Sequence, residues 1–289
     1  GNITLTNNAR NFDQVKLSSP EPILLPYIGA LKYSAILSRF DEVATVDGER
    51  HPYFFATKLS VKPADFVELG LNLGRQVGGP GVDNSFGSLL RGFIGGTNSD
   101  NSNSVAGLEL RFRIPWLANT EVYGEFSGED AAAFWPIVES YTAGFYIPRL
   151  TASGRDDFRF EYFLGNAALY TNGTFPEGYI YHDQPIGHSQ GGAAEEFFFR
   201  YSHWFWARNN LALEYWHGER GNLGRVPVDG VMQAVERKDS ARLVWTLPLH
   251  KDVDCGITYG LERVRNKDLV QGDNRTNQLL TLELGFRYW

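Results

Sequence analysis

The sequence predicts an all-β chain: an antiparallel transmembrane β-barrel of about 14 strands, with short periplasmic turns and long extracellular loops. Three observations predict it. The last strand puts Leu280, Leu282, Leu284, Phe286 and Tyr288 on one face, puts Thr281, Glu283, Gly285 and Arg287 on the other, and ends on Trp289. An unbroken apolar side opposite a charged side needs two solvents, and lipid outside with a wet lumen inside supplies them. Second, tight and long connections take turns along the chain. Third, 14% aromatic residues and 31 Gly against one Cys and one Met suit a twisted all-β chain with girdles and tight turns.

In chain order, two weaker strand-like stretches at 2–10 and 12–19 precede clearer ones near 30–40, 52–62, 66–77, 104–114, 119–128 and 137–148. Others follow near 157–165, 194–206, 209–217, 235–247 and 252–265, before the terminal strand. The connections at Pro63 to Asp65, Pro115 to Ala118, Ala207 to Arg208 and Pro248 to Lys251 are tight. Those at 78–103, 166–193 and 218–234 are long and rich in Gly, Asn, Asp and Ser. A transmembrane barrel sorts its connections in this way, and a soluble sandwich has no reason to.

The two-faced pattern recurs inside the chain. Val67, Leu69, Leu71 and Leu73 alternate with Glu68, Gly70 and Asn72, and Leu108, Leu110 and Phe112 with Glu109, Arg111 and Arg113. Phe158, Phe160 and Tyr162 alternate with Arg159 and Glu161; Val253, Cys255, Ile257, Tyr259 and Leu261 stand against Asp252, Asp254, Thr258 and Glu262. Turning Arg or Lys toward lipid costs about 2–4 kcal/mol each at mid-depth, so the charges are expected to face the lumen. The expected lumen set includes Glu109, Arg111, Arg113, Glu125, Arg159, Glu161, Glu262, Glu283 and Arg287. Both signs are present, which favours bracing networks over the single-sign rings of an ion-selective pore.

Several classes are excluded or disfavoured. The net charge of −7 is spread without a basic block, against a nucleic-acid partner. No run of about 18 apolar residues is present, so no transmembrane helix is expected, and half-apolar strands reconcile a mean hydropathy of −0.30 with a membrane barrel. Cys255 has no partner for an internal disulfide. A barrel must be exported and no signal peptide is visible, so Gly1 is not expected to be the natural start. Residues 1–289 are expected to make a single outer-membrane barrel domain. Its partners would be outer-membrane lipid and the barrel assembly machinery, reached through the C-terminal strand.

Gly187-His188-Ser189-Gln190-Gly191 is a literal G-x-S-x-G, the nucleophile elbow of α/β-hydrolases, and Asp229 or Asp239 with His250 keep the order of an acid and a histidine downstream. The context opposes a serine hydrolase. Pro185 interrupts the place of the preceding strand, and Glu196 to Trp206 lacks helical spacing where a helix should follow. A barrel phospholipase using His182 or His188 with a serine rests on a loop histidine alone. His182, Asp183 and His188 do not have a familiar zinc spacing, and Val77-Gly78-Gly79-Pro80-Gly81 lacks the lysine and helix of a phosphate loop. No catalytic residue, metal or cofactor is expected.

Three segments carry a family resemblance: Thr4-Leu5-Thr6-Asn7-Asn8-Ala9-Arg10, then Glu125-Phe126-Ser127-Gly128-Glu129-Asp130, then Gly178 through His188, reading GYIYHDQPIGH. In this order over a barrel-like chain they resemble the Wzi-type capsule assembly proteins. The resemblance implies an outer-membrane barrel acting as a surface lectin that holds capsular polysaccharide on the cell, and no enzyme. It also implies that the Ile-Gly-His stretch belongs to a barrel loop. Family members are longer, with a helical bundle and further strands before the Asn-Ala-Arg segment, so the chain is expected to be a fragment or to be completed by another segment or chain.

Sugars offer C–H faces to aromatic rings and hydroxyls to carboxylates, amides and imidazoles. The candidate glycan-binding residues are Tyr170, Asn172, Tyr179, Tyr181, His182, Asp183, Gln184 and His188, with Arg220 and Arg225 in the next long loop for acidic sugars. Packing of the loop is the competing role for each. The runner-up function is a porin or conduit for small solutes, or a sheath for a partner protein, which a continuous open lumen would favour.

Overall fold

The computed structural model describes residues 3–6, 13–40, 43–45, 48–50, 52–78, 85, 87, 102–129, 138–182, 184–223, 227–228 and 231–286. Their strands are β1 (Gln14–Ser18), β2 (Ile23–Leu25), β3 (Gly29–Arg39), β4 (Val43–Thr45), β5 (Gly48–Arg50), β6 (Tyr53–Ala64) and β7 (Val67–Val77). Next come β8 (Asn103–Ile114), β9 (Thr120–Glu129), β10 (Val138–Ile147), β11 (Asp156–Gly165), β12 (Ile180–Tyr181), β13 (Gln184–Pro185) and β14 (Ala194–Trp206). The chain continues through β15 (Asn209–Arg220), β16 (Pro227–Val228), β17 (Val231–Met232), β18 (Glu236–His250), β19 (Val253–Arg265) and β20 (Arg275–Phe286). Fourteen of them make one sheet, ordered β1-β3-β6-β7-β8-β9-β10-β11-β14-β15-β18-β19-β20 with β2 beside β3; the pairs β4–β5, β12–β13 and β16–β17 are separate ladders. Sequential neighbours pair antiparallel throughout the ladders from β14 to β20.

The alternation of short and long connections holds, but two prolines sit differently from expectation. β6 runs through Pro63 to Ala64 and turns at Asp65 and Phe66, and β18 runs through Pro248 to His250. Pro63 falls inside a register irregularity between Val61 and Ala64, and Pro248, opposite Asp254, borders one that skips Leu249 before His250. A bulge leaves a ladder position unpaired, so a residue without an N–H is tolerated there inside the strand. The expected strand at 2–10 is not formed where it is described: residues 3–5 are bends, and 7–12 lie outside the described residues. The 12–19 stretch contracts to β1.

Contacts group the chain into two compact units, one of residues 1–112, 123–143 and 164–193 and the other of 113–122, 144–163 and 194–289. The first holds most of the buried apolar side chains. Ile3, Phe40, Phe54, Leu169, Phe175 and Tyr179 are each at most 2% exposed. Here the expected lipid-side row fails at one end: Leu69 is 47% exposed, but Leu73 is 2% exposed and clusters with Ala106. Every residue from Asn72 to Val77 is buried, so that end of β7 is covered on both faces.

In the second unit the register lines up apolar rows on one face of the sheet. Tyr201, Leu213, Leu243, Tyr259 and Leu280 are successive cross-strand partners over β14, β15, β18, β19 and β20, and all are exposed. Leu211, Trp245, Ile257 and Leu282 form the next row. The opposite face carries polar pairs: Arg200 lies 3.6 Å from Glu214, and the Arg242 guanidinium sits 4.8 Å over the Trp216 ring. Period-2 alternation between these two surfaces is what the strand sequences encode.

Candidate functional site

The connection 166–193, between β11 and β14, is seated in the first unit by residues far away in sequence. Glu125, on β9 and 4% exposed, accepts hydrogen bonds from the backbone N–H of Ile3 (2.7 Å) and of Thr4 (3.0 Å), from the Thr4 hydroxyl (2.7 Å) and from the Ser127 hydroxyl (2.6 Å). A buried carboxylate needs such donors to offset its desolvation. Two residues on, the Thr6 hydroxyl points at the carbonyl oxygens of Ile186 and Gly187, at 2.6 and 2.9 Å.

Tyr170 joins both partners. Its hydroxyl donates to the Ile3 carbonyl at 2.7 Å and accepts from the His188 N–H at 2.8 Å, while its own N–H donates to Glu129 Oε1 at 2.5 Å. Its backbone is left-handed (φ 73°), a conformation that costs a non-glycine residue energy and persists where neighbours fix it. The Tyr179 hydroxyl reaches the carbonyl oxygens of Gly74 (2.8 Å) and Asn103 (3.1 Å), and its ring packs edge-on against Phe54 with centroids 5.5 Å apart. Burial pushes the phenol pKa of both tyrosines well above the usual tyrosine value, because the phenolate would be desolvated beside Glu129.

The three segments that carry the family resemblance therefore meet: Thr4 and Thr6 from the first, Glu125, Ser127 and Glu129 from the second, Ile186 to His188 from the third. Asn7 to Arg10, Asp130 and Asp183 lie outside the described residues. Sequence reasoning placed Glu125 among lumen charges and missed its role as the anchor of Ile3 and Thr4. The order of the three segments was the available signal.

The candidate glycan residues separate by exposure. Tyr170, Tyr179, Tyr181 and His188 are buried, so their rings are closed to an outside ligand in this arrangement. Asn172 closes a turn, accepting from the N–H groups of Thr174 (3.0 Å) and Phe175 (2.8 Å) and donating to the Ser102 carbonyl at 3.0 Å. His182 and Gln184 are exposed; β12 and β13 pair Tyr181 with Gln184, so His182 stands at the hairpin tip, its ring tilted 54° against the Tyr181 ring with centroids 4.3 Å apart. Arg220 is paired with Glu236 at 3.1 Å and Asp268 at 3.5 Å. Arg225 and Arg287 lie outside the described residues.

The remaining charges make wall contacts. Glu109 accepts two bonds from the Lys58 ammonium at 2.7 Å and one from Asn72 at 2.5 Å; Arg111 lies 5.9 Å over Tyr123. Lys58, Glu68, Glu109, Arg111, Glu125 and Thr142 line a polar pocket of about 90 Å³ in the first unit. In the second unit Arg113 meets Glu121 at 2.9 Å, Arg159 lies 3.8 Å from Glu161, and Glu262 accepts from Asn277 at 2.9 Å. Glu283 is exposed opposite Gly256.

The elbow geometry is absent. Ser189 is exposed in a turn, and the chain after it enters strand β14 where a hydrolase would start a helix. Asp239 is engaged by His217 Nδ1 at 2.8 Å and the Tyr215 hydroxyl at 2.9 Å, and Asp229 lies outside the described residues. Among the described residues no three His, Cys, Asp or Glu side chains are grouped to hold a metal ion. No described helix is long and apolar enough to cross a membrane, which says nothing of strands.

An antiparallel sheet of this size with an exposed apolar face, and a connection docked among polar side chains, defines an outer-membrane β-barrel protein. The model of the family described as capsule assembly protein Wzi matches residues 1–279, and the chain belongs to that family. A Klebsiella pneumoniae protein described as an uncharacterized 55.8 kDa protein in the cps region is 28% identical over 133 residues, 44% of this chain and 26% of that protein. Among solved structures, the chain is similar to Escherichia coli Wzi, described as an outer membrane protein involved in group 1 capsule assembly and a carbohydrate binding β-barrel. The TM-score is 0.76 at 16% identity, covering 100% of this chain and 64% of that one. Pseudomonas aeruginosa OccK10 (OpdN) shares the fold at TM-score 0.55 and 13% identity, covering 99% of this chain and 76% of that one. The chain thus spans 26% of the curated relative and 64% of the E. coli barrel.

Proposed function

We propose that this chain forms, as a single barrel domain, the part of an outer-membrane surface lectin that holds capsular or related surface polysaccharide on the cell, without cutting or transporting it. One observation carries the reading. The three segments shared with capsule assembly proteins combine to seat the connection 166–193 in a fixed shape, an arrangement that serves recognition better than passage. The binding edge we assign is the β12–β13 hairpin, where exposed His182 and Gln184 offer imidazole and amide groups to sugar hydroxyls and Asp183 adds a carboxylate. Tyr170, Tyr179, Tyr181 and His188 serve it as the frame, and Arg220 and Arg225, farther along the chain, are separate candidates for contacts with acidic sugars. The membership of E. coli Wzi in the same family supports the ligand class.

The test is binding of the detergent-folded protein to capsular polysaccharide of its own organism, run beside liposome swelling with small solutes. Saturable binding that His182→Ala/Gln184→Ala weakens several-fold without changing the melting temperature supports the lectin. Swelling without glycan binding overturns it and leaves a conduit.

A further inference from the structure

On the exposed, apolar face of the second unit, the rows change chemistry toward the long-connection end. The row Phe199, Tyr215, Ala241, Leu261 and Gln278 is followed by Phe197, His217, Asp239, Arg263 and Thr276, and then by Glu195, Glu219, Arg237 and Arg265. A band that meets acyl chains thus ends in guanidinium groups.

The pairing there is incomplete in a specific way. Asp239 stands directly opposite Arg263, yet its carboxylate turns to the other side, to His217 at 2.8 Å and Tyr215 at 2.9 Å. Glu219 is taken by Arg237 at 2.7 Å. Arg265 is the cross-strand partner of Arg237, a like-charge juxtaposition that is destabilising unless an anion lies nearby. Arg263 and Arg265 are exposed and, among the described residues, have no ion pair or hydrogen bond. Among the described residues both nearby carboxylates are bonded to other groups, and Asp239 reaches Arg265 only at longer range, so both guanidinium forks are open to a further anion.

We propose that Arg263 and Arg265 bind the phosphate of a phosphorylated lipid whose acyl chains lie on Tyr259, Leu261 and Leu280. The two chemistries match the two ends of one molecule: a guanidinium fork takes a phosphate bidentately, and exposed Tyr259 (42%), Leu261 (44%) and Leu280 (66%) give the chains an apolar bed. A free phosphate would use the arginines and ignore the apolar rows, so the occupant we assign is the lipid.

The experiment measures lipid retained by the detergent-purified protein by native mass spectrometry. It uses bis-phosphorylated lipid A, its phosphate-free counterpart, and inorganic phosphate as competitor. The expected result is retention of the phosphorylated lipid that falls about thirty-fold in Arg263→Gln/Arg265→Gln, the effect of losing two basic residues at roughly 1 kcal/mol each near a lipid surface. Arg242→Gln, on the opposite face, leaves retention unchanged. Equal retention by the double variant, or of the phosphate-free lipid by the wild type, overturns the proposal. Displacement by millimolar inorganic phosphate assigns the pair to a free anion and overturns it as well. Unchanged strand content by circular dichroism in the variant keeps a loss of retention from being a loss of folding.

Discussion

Gly187 lies against the ring of Tyr170 so closely that a Cβ at position 187 would fall 2.1 Å from Cζ and 2.3 Å from the hydroxyl oxygen. The contact is an unavoidable one, because that hydroxyl is fixed on the Ile3 carbonyl and the His188 N–H. Gly187→Ala is expected to destabilise the protein by about 1–3 kcal/mol, the usual cost of overpacking. If lost space is the cause, the double variant with Tyr170→Ala will melt no lower than Tyr170→Ala alone, since coupled sites are not additive.

Glu125→Ala should release the segment at residues 3–6. It deletes a buried acceptor and leaves the N–H groups of Ile3 and Thr4 without their partner, at about 1–3 kcal/mol for each unsatisfied group. The measurement is limited proteolysis of the folded protein: faster cleavage near the N-terminus, with the strands protected, is the expected pattern. Cleavage at the wild-type rate would show that Glu125 is not the anchor.

Alkaline pH should loosen the connection 166–193. The pKa values of Tyr170 and Tyr179 are raised in the folded state, so their neutral forms favour folding and their contribution is fully present below about pH 10, the unfolded value. It is lost as pH rises toward and through the folded values. Spectrophotometric titration should find Tyr170 and Tyr179 ionising last among the tyrosines and together with a fall in melting temperature, and Tyr170→Phe/Tyr179→Phe should weaken that dependence.

Leu282 is 68% exposed in the apolar row that also holds Leu211, Trp245 and Ile257. Leu282→Arg is expected to cost about 2–4 kcal/mol in a bilayer. In a detergent-to-lipid comparison the penalty should grow with hydrocarbon depth, whereas Glu283→Gln on the neighbouring position should change stability little.

The alternation of Leu280, Leu282 and Leu284 with Thr281 and Glu283 was legible because strand faces are set by neighbours two residues apart. The same local signal mistook Pro63 and Pro248 for stops, since a bulge is a property of two strands and is not written in either alone. The candidate loop shows the limit most directly. Tyr179 and His182 sit three positions apart in one aromatic and polar segment, and only Phe40, Phe54, Gly74 and Asn103, all distant in sequence, decide that the tyrosine turns inward. The charges Glu109 and Glu125 likewise looked equivalent; one meets Lys58 from a nearby strand, and the other meets a segment 122 residues away.

The stitches at Glu125, Tyr170 and Thr6 join positions separated by 122, 167 and 181 residues. Closing such spans carries an entropy cost that neighbouring strands of a meander do not face, so hairpins zip first and these knots are tied last. Assembly of the wall then precedes the fixing of the connection 166–193. A chain caught midway through biogenesis would already have its strands paired while that connection still lacked its fixed shape.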